Sequence, residues 1–142
     1  MTPQDTAEAS AAAMWSGDAA SRSMGMRIDE VGPGTATLSM VLAPDHLNGH
    51  GTAHGGVLFT LADSAFAFAC NSHGDRAVAA SAQIAFLAPG KGGERVTARA
   101  SERTRAGRTG ICDVTVTGED GRVLAEFRGQ SRTIPGSHLE GA

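Results

Sequence analysis

Val57-Leu58-Phe59-Thr60-Leu61-Ala62-Asp63-Ser64-Ala65-Phe66-Ala67-Phe68-Ala69-Cys70-Asn71-Ser72 carries apolar side chains on every side of a helical wheel. A helix that is hydrophobic all round is a buried one. The stretch predicts a helix over residues 57–72, entered through Gly55-Gly56 and stopped at Gly74. Upstream of it, residues 43–56 hold Pro44, Gly49, Gly51, Gly55 and Gly56, a density of breakers that only a loop tolerates. Residues 27–31 and 35–42 read as two strands joined at Gly32-Pro33-Gly34, with Leu38, Met40 and Leu42 alternating against Thr37 and Ser39. Downstream, residues 77–87, 94–105, 108–117 and 122–134 all read as strands. They are broken at Pro89-Gly90, Ala106-Gly107 and Glu119-Asp120-Gly121, the last two as hairpin turns. The alanine-rich start predicts a helix over 7–15 capped by Asp5-Thr6, then a short helical piece over 18–24. The polar tail after Ile134 is expected to fray.

Helix, two strands, one long apolar helix, four strands: short turns between strands make the sheet antiparallel, and the apolar helix requires that sheet to curl around it. The expected class is α+β, a sheet wrapped on a central helix with a short helix at the N-terminus. One curved sheet leaves one side of the helix poorly covered, so a second copy of the chain is expected to complete its burial.

Composition narrows the function. A chain of 142 residues fits one domain, 1–142, and 41 % hydrophobic against 19 % charged residues excludes a disordered chain. A net charge of −3 argues against a nucleic-acid-binding domain. The charge is uneven: residues 1–75 carry two basic and eight acidic side chains, residues 76–142 ten and seven. All but Lys91 of the basic residues are arginines, whose planar fork suits phosphate. Cys70 and Cys112 lie in apolar runs, as buried thiols do. The N-terminus has no basic, leucine-rich leader and no apolar run reaches the roughly 18 residues of a membrane span, so the expected location is the cytoplasm.

The chemistry concentrates in residues 46–63. Gly55-Gly56 opens the helix, where backbone N–H groups lack intrahelical partners and lie at the positive end of the dipole. Two bare glycines there make either a site that polarises a carbonyl oxygen or a simple hinge. Asp63 is the only charged side chain between Val57 and Asn71. It is either a catalytic acid or base, or a structural acid bonded to Thr60, Ser64 or backbone. His54, directly before the glycine pair, either orients the site or bonds across the loop, and Asn48 either shapes a turn or holds a carbonyl oxygen. His46, His50 and His54 recur every four residues, but the glycines between them deny the helix that would align them on a metal. No Gly-x-Ser-x-Gly elbow is present, which speaks against serine-hydrolase chemistry. At 1.5 Å per residue, Gly55 and Asp63 lie about 12 Å apart along one helix. One carbonyl cannot touch both, so joint action requires Asp63 of one chain to meet the Gly55 end of another.

Taken together, Leu47-Asn48-Gly49-His50, His54-Gly55-Gly56 and residues 61–72 resemble the hotdog-fold acyl-CoA thioesterases of the phenylacetic acid degradation type. The likeness extends to Phe86-Leu87-Ala88-Pro89-Gly90 and Phe127-Arg128-Gly129. It implies a hotdog fold, a homodimer that pairs into a homotetramer, hydrolysis of phenylacetyl-CoA and hydroxyphenylacetyl-CoA, and no metal or organic cofactor. Carried onto this chain, it makes the Gly55 N–H, with Gly56, the group that polarises the thioester carbonyl. Asn48 and His54 position that carbonyl, and Asp63 of the partner chain activates water or attacks directly. Phe59, Phe66 and residues 80–83 are candidates for the acyl pocket, and Arg103, Arg105 and Arg108 for the coenzyme A phosphates. The competing expectations are a hotdog hydratase or dehydratase, whose product keeps the thioester, and an acyl-CoA-binding module without turnover.

Overall fold

A computed structural model describes residues 1–140. Its elements run α1 (Pro3–Gly17), α2 (Ala19–Ser23), β1 (Arg27–Gly32), β2 (Thr35–Val41), α3 (Gly55–Cys70), β3 (Asp75–Phe86), β4 (Arg95–Ala106), β5 (Thr109–Thr117) and β6 (Val123–Ser137). The six strands form one antiparallel sheet in the order β1-β2-β4-β5-β6-β3. Its concave face packs on α3, giving the hotdog arrangement of a curved sheet around a central helix.

The core follows from the two periodicities. Ala36, Leu38 and Met40 of β2, Val96 and Ala98 of β4, and Cys112, Val114 and Val116 of β5 alternate inward. They meet Leu58, Leu61, Ala62, Ala65, Phe66 and Ala69 of α3. Gly129 of β6 faces the Phe66 ring, and a Cβ there would lie 2.8 Å from three ring atoms, so the strand needs glycine at this point for the helix to seat. Trp15 of α1 closes over Phe68 at 6.2 Å between ring centres.

Four expectations change. β3 does not pair with β4, its neighbour in sequence. It lies at the far edge against β6, because α3 carries the chain across the concave face before β3 begins. The helix α1 starts at Pro3, earlier than an Asp5-Thr6 cap allows. Thr2 Oγ1 accepts from the Asp5 N–H at 3.0 Å while the Asp5 carboxylate accepts from the Thr2 N–H at 2.9 Å, a reciprocal cap. The long helix starts at Gly55, so the glycine pair is its first turn, and it ends at Cys70, where Asn71 caps it. The described part of the tail is tied down, since Pro135, Gly136 and Ser137 belong to β6; residues 141–142 of that tail lie outside the described residues. Past that strand, the His138 N–H bonds to the Gly74 carbonyl at 2.8 Å and its Nε2 meets Asn71 Oδ1 at 2.6 Å.

Candidate active site

The first turn of α3 is built by its cap. His54 stands at the N-cap with Nδ1 accepting from the Gly56 N–H at 2.9 Å, and its carbonyl accepts from Val57 and Leu58 at 2.9 and 3.3 Å. With Nδ1 accepting, the neutral ring carries its proton on Nε2. Among the described residues the Gly55 N–H has no acceptor. Gly55 lines a cavity of ≈ 440 Å³ together with Asn48, Leu58, Phe86, Pro89 and Gly90. A Cβ at Gly55 would lie 3.1 Å from Phe86 Cζ, so the backbone runs bare beneath that exposed ring. Asn48 shapes the neighbouring turn: Oδ1 accepts from the His50 and Thr52 N–H groups at 2.9 and 3.2 Å, and Nδ2 donates to Thr52 Oγ1 at 3.1 Å. One amide hydrogen of Asn48 stays uncommitted.

Asp63 opens onto a different cavity, of ≈ 340 Å³, with Met14, Phe66, Cys70, Val78 and Ile134 in its mostly apolar wall. Its carboxylate is half-buried, and among the described residues no donor or cation pairs with it. The two hydroxyls that would make it a structural acid are occupied: Thr60 Oγ1 donates to the Gly56 carbonyl at 2.7 Å, and Ser64 Oγ bonds to Ser21 Oγ at 2.8 Å. Burial pushes the Asp63 carboxyl above its ordinary value, and the charge of Asp18 pushes it further in the same direction. A carboxylate without donors in an apolar wall is a stronger base than one in water.

The chain therefore brings Asn48, Gly55, Gly56 and His54 together at one end of α3 and leaves Asp63 apart from them. Gly56, Thr60, Asp63 and Ala67 share one face of α3 that the sheet does not fully cover, unlike Leu61, Ala62, Ala65 and Ala69. β3 is an edge strand exposed along nearly its whole length, with Val78 and Phe86 in the open. Of the acyl-pocket candidates, Phe59 and Phe66 both pack on Phe127, at 5.4 and 5.8 Å between ring centres, and Phe66 also lines the Asp63 cavity. Residues 80–83 lie on the exposed β3 edge. Arg103 is 3.7 Å from Asp113 and Arg105 is 3.7 Å from Glu102, while Arg108 is exposed in the β4–β5 turn. His46 Nδ1 accepts from the Ala43 N–H at 3.0 Å, and no cluster of three metal-ligating side chains forms among the described residues. Sequence reasoning missed Met14, Val78, Ile134 and His138 around Asp63, which arrive from α1, β3 and β6 with no shared spacing to announce them. Cys70 and Cys112 are buried, and burial pushes both thiols up to about 12, which keeps them inert.

No helix among the described residues is long and apolar enough to cross a membrane. Residues 50–125 match the family described as the thioesterase superfamily. The chain is 42 % identical over 125 residues to the acyl-coenzyme A thioesterase PaaI of Escherichia coli K12, covering 88 % of this chain and 89 % of that one. The solved structure of the E. coli PaaI protein from the phenylacetic acid degradation operon superposes with a TM-score of 0.94 at 40 % identity, covering 96 % of this chain and 99 % of that one. A hypothetical thioesterase protein of Streptococcus pneumoniae TIGR4, solved with coenzyme A, matches with a TM-score of 0.76 at 25 % identity over 80 % of this chain and 91 % of its own. A bare helix N-terminus, an unpartnered carboxylate on the same apolar helix, and this likeness over the length of the fold lead to one conclusion: the chain belongs to the thioesterase superfamily, as a hotdog thioester hydrolase of the PaaI type.

Proposed function

We propose that the protein hydrolyses arylacetyl-CoA thioesters, phenylacetyl-CoA and its ring-hydroxylated relatives among them, to the free acid and coenzyme A, at a site shared between two copies. The observation that carries this is the separation of an unsatisfied Gly55 N–H and an unpaired Asp63 carboxylate into two cavities of one chain. Two antiparallel α3 helices related by a two-fold axis set each Asp63 against the other chain's Gly55. The half-covered face of α3 and the open β3 edge are surfaces such a pairing would use. The homodimer is expected to pair again into a homotetramer, and the location that goes with this reading is the cytoplasm.

At that site the Gly55 N–H donates to the thioester carbonyl oxygen, since the Gly56 N–H is already held by His54 Nδ1. His54 thereby fixes the glycine turn, and Asn48, which keeps one amide hydrogen uncommitted, lines the same cavity as Gly55. Asp63 takes a proton from water as the water oxygen attacks the carbonyl carbon. The C–S bond then breaks and coenzyme A leaves as the thiolate. Direct attack by the carboxylate, followed by hydrolysis of the resulting anhydride, requires the same residue in the same place. The apolar wall beside Asp63 suits an aromatic acyl group.

The test is thiol release from phenylacetyl-, hydroxyphenylacetyl-, benzoyl- and straight-chain acyl-CoA by wild type and Asp63→Ala. Release that favours the arylacetyl members and depends on Asp63 supports the reading. Binding of these thioesters without release overturns it.

A further inference from the structure

Beside Asp63 the fold carries a second carboxylate that the proposed reaction does not use. Asp18 links α1 to α2 and caps α2, with Oδ1 accepting from the Ser21 N–H at 3.0 Å and Oδ2 accepting from Ser21 Oγ at 2.7 Å. Ser21 has one hydroxyl proton and spends it on Asp18, so at the 2.8 Å contact between Ser64 Oγ and Ser21 Oγ it is Ser64 that donates. The result is a directed run of hydrogen bonds, Ser64 to Ser21 to Asp18, that begins one residue after Asp63 on α3. Ser21 and Ser64 are both buried, Asp18 is half-buried, and among the described residues no cation pairs with the Asp18 carboxylate.

This arrangement does two things to Asp63. It commits the nearest hydroxyl on α3 elsewhere, and it anchors a negative charge within electrostatic reach. We propose that Asp18 is a positioning residue for the reaction: its charge, fixed by Ser21 and Ser64 against α3, keeps the Asp63 carboxylate a strong base and sets the lower pH limit of activity. The inference rests on Asp63 being the base or nucleophile. The other charged or titratable groups around it act differently. Arg76 of β3 is exposed at the cavity and is the one cation there. His138, beyond the end of β6, is held below its ordinary value by burial and by Arg76, and stays neutral near pH 7. The Cys70 thiol, pushed up to about 12, is neutral as well. Asp18, two hydrogen bonds from Ser64, is thus the negative charge that the α1–α2 link holds beside the Asp63 turn of α3, in line with its contribution to the raised Asp63 carboxyl.

The experiment is the pH profile of kcat/KM for phenylacetyl-CoA in wild type, Asp18→Asn, Asp18→Glu and Asp63→Asn. Asn removes the charge and keeps an oxygen for the Ser21 N–H, while its NH2 donates to Ser21 Oγ where Oδ2 accepted and so turns the Ser21 hydroxyl toward Ser64; Glu keeps the charge. The acid limb is expected to move to lower pH by roughly half a unit in Asp18→Asn and to stay near wild type in Asp18→Glu. An unmoved limb in Asp18→Asn, or equal shifts in both Asp18 variants, overturns the role of the charge while leaving Asp63 in place, provided Asp63→Asn is inactive. An active, folded Asp63→Asn overturns the assignment of Asp63 itself, and this inference with it.

Discussion

Glu94 and Asp63 are both carboxylates taken partly or wholly out of water, and the fold treats them in opposite ways. Glu94, where the β3–β4 connection enters β4, accepts from the Lys91 N–H at 2.6 Å, from the Glu119 N–H at 3.0 Å and from Arg122 Nη2 at 2.7 Å. Arg122 also reaches Asp120 at 2.7 Å and the Pro89 carbonyl at 3.0 Å, so one acid ties two loops together. Burial pushes the Glu94 carboxyl up, but the two N–H donors and the guanidinium more than reverse this and hold it below its ordinary value. Asp63 has the burial without the donors and is held above its ordinary value. A saturated carboxylate holds structure and has little basicity left to use; a bare one strains the fold and keeps its basicity for a substrate.

The sharpest way to break that contrast is to remove each acid and measure turnover. Asp63→Ala is expected to lower kcat by about 10²- to 10⁴-fold, the loss that follows from removing a positioned base, while Glu94→Ala leaves kcat within about twofold. Thiol-release kinetics on both variants decides it. The proposed sharing of the site between two chains makes a second, smaller effect measurable. Gly55→Val, which forces a side chain against Phe86, and Asp63→Ala are each inactive alone, and mixed chains are expected to recover about a quarter of wild-type activity through the one intact site of each heterodimer. No recovery in a sample shown to contain heterodimers removes the shared site.

Stability should then run the other way. Glu94→Ala orphans two N–H groups and leaves Arg122 with Asp120 as its one carboxylate partner, and is expected to cost about 2 kcal/mol, a fall in Tm of roughly 5–8 °C at pH 7. A native carboxyl held below its unfolded value stabilises at neutral pH, and that contribution is lost as pH falls through the native value. The Glu94 effect should therefore fade in acid. Asp63 has the opposite sign: a native carboxyl held above its unfolded value disfavours folding once it is ionised, so stability falls as pH rises. Asp63→Asn is expected to raise Tm by about 2–4 °C at pH 7, with the gain vanishing toward about pH 4. Thermal melts of both variants across that range test the pair.

The same contrast separates what could be read in the chain from what could not. α3, its glycine entrance and the strands around it were legible because each rests on local chemistry: an apolar helical run, period-two alternation, and breakers at Pro89-Gly90 and Gly107. The β3–β6 pairing was not, because it depends on where α3 delivers the chain and no residue of β3 encodes that. Within the site, Gly55, His54 and Asn48 stand close in sequence and meet in space. Asp63 was legible as the one charge on an apolar helix. Its setting was not: Ser21 and Ser64 are 43 residues apart, and Asp18 reads as an ordinary helix cap until α2 is folded against α3.

The bare strand position at Gly129 has a further consequence. Phe66 drops into it as a key into a slot, so α3 can neither slide along β6 nor roll on the sheet without driving ring atoms into backbone. Phe66 lies one turn beyond Asp63, which makes β6 the datum from which the carboxylate's place is measured. In a two-fold assembly any offset of that datum occurs in both chains at once, and the gap between one chain's Gly55 and the other's Asp63 absorbs it twice. In the proposed two-chain site the alignment of the reacting groups thus traces back to a notch in the sheet, behind the Phe66 ring.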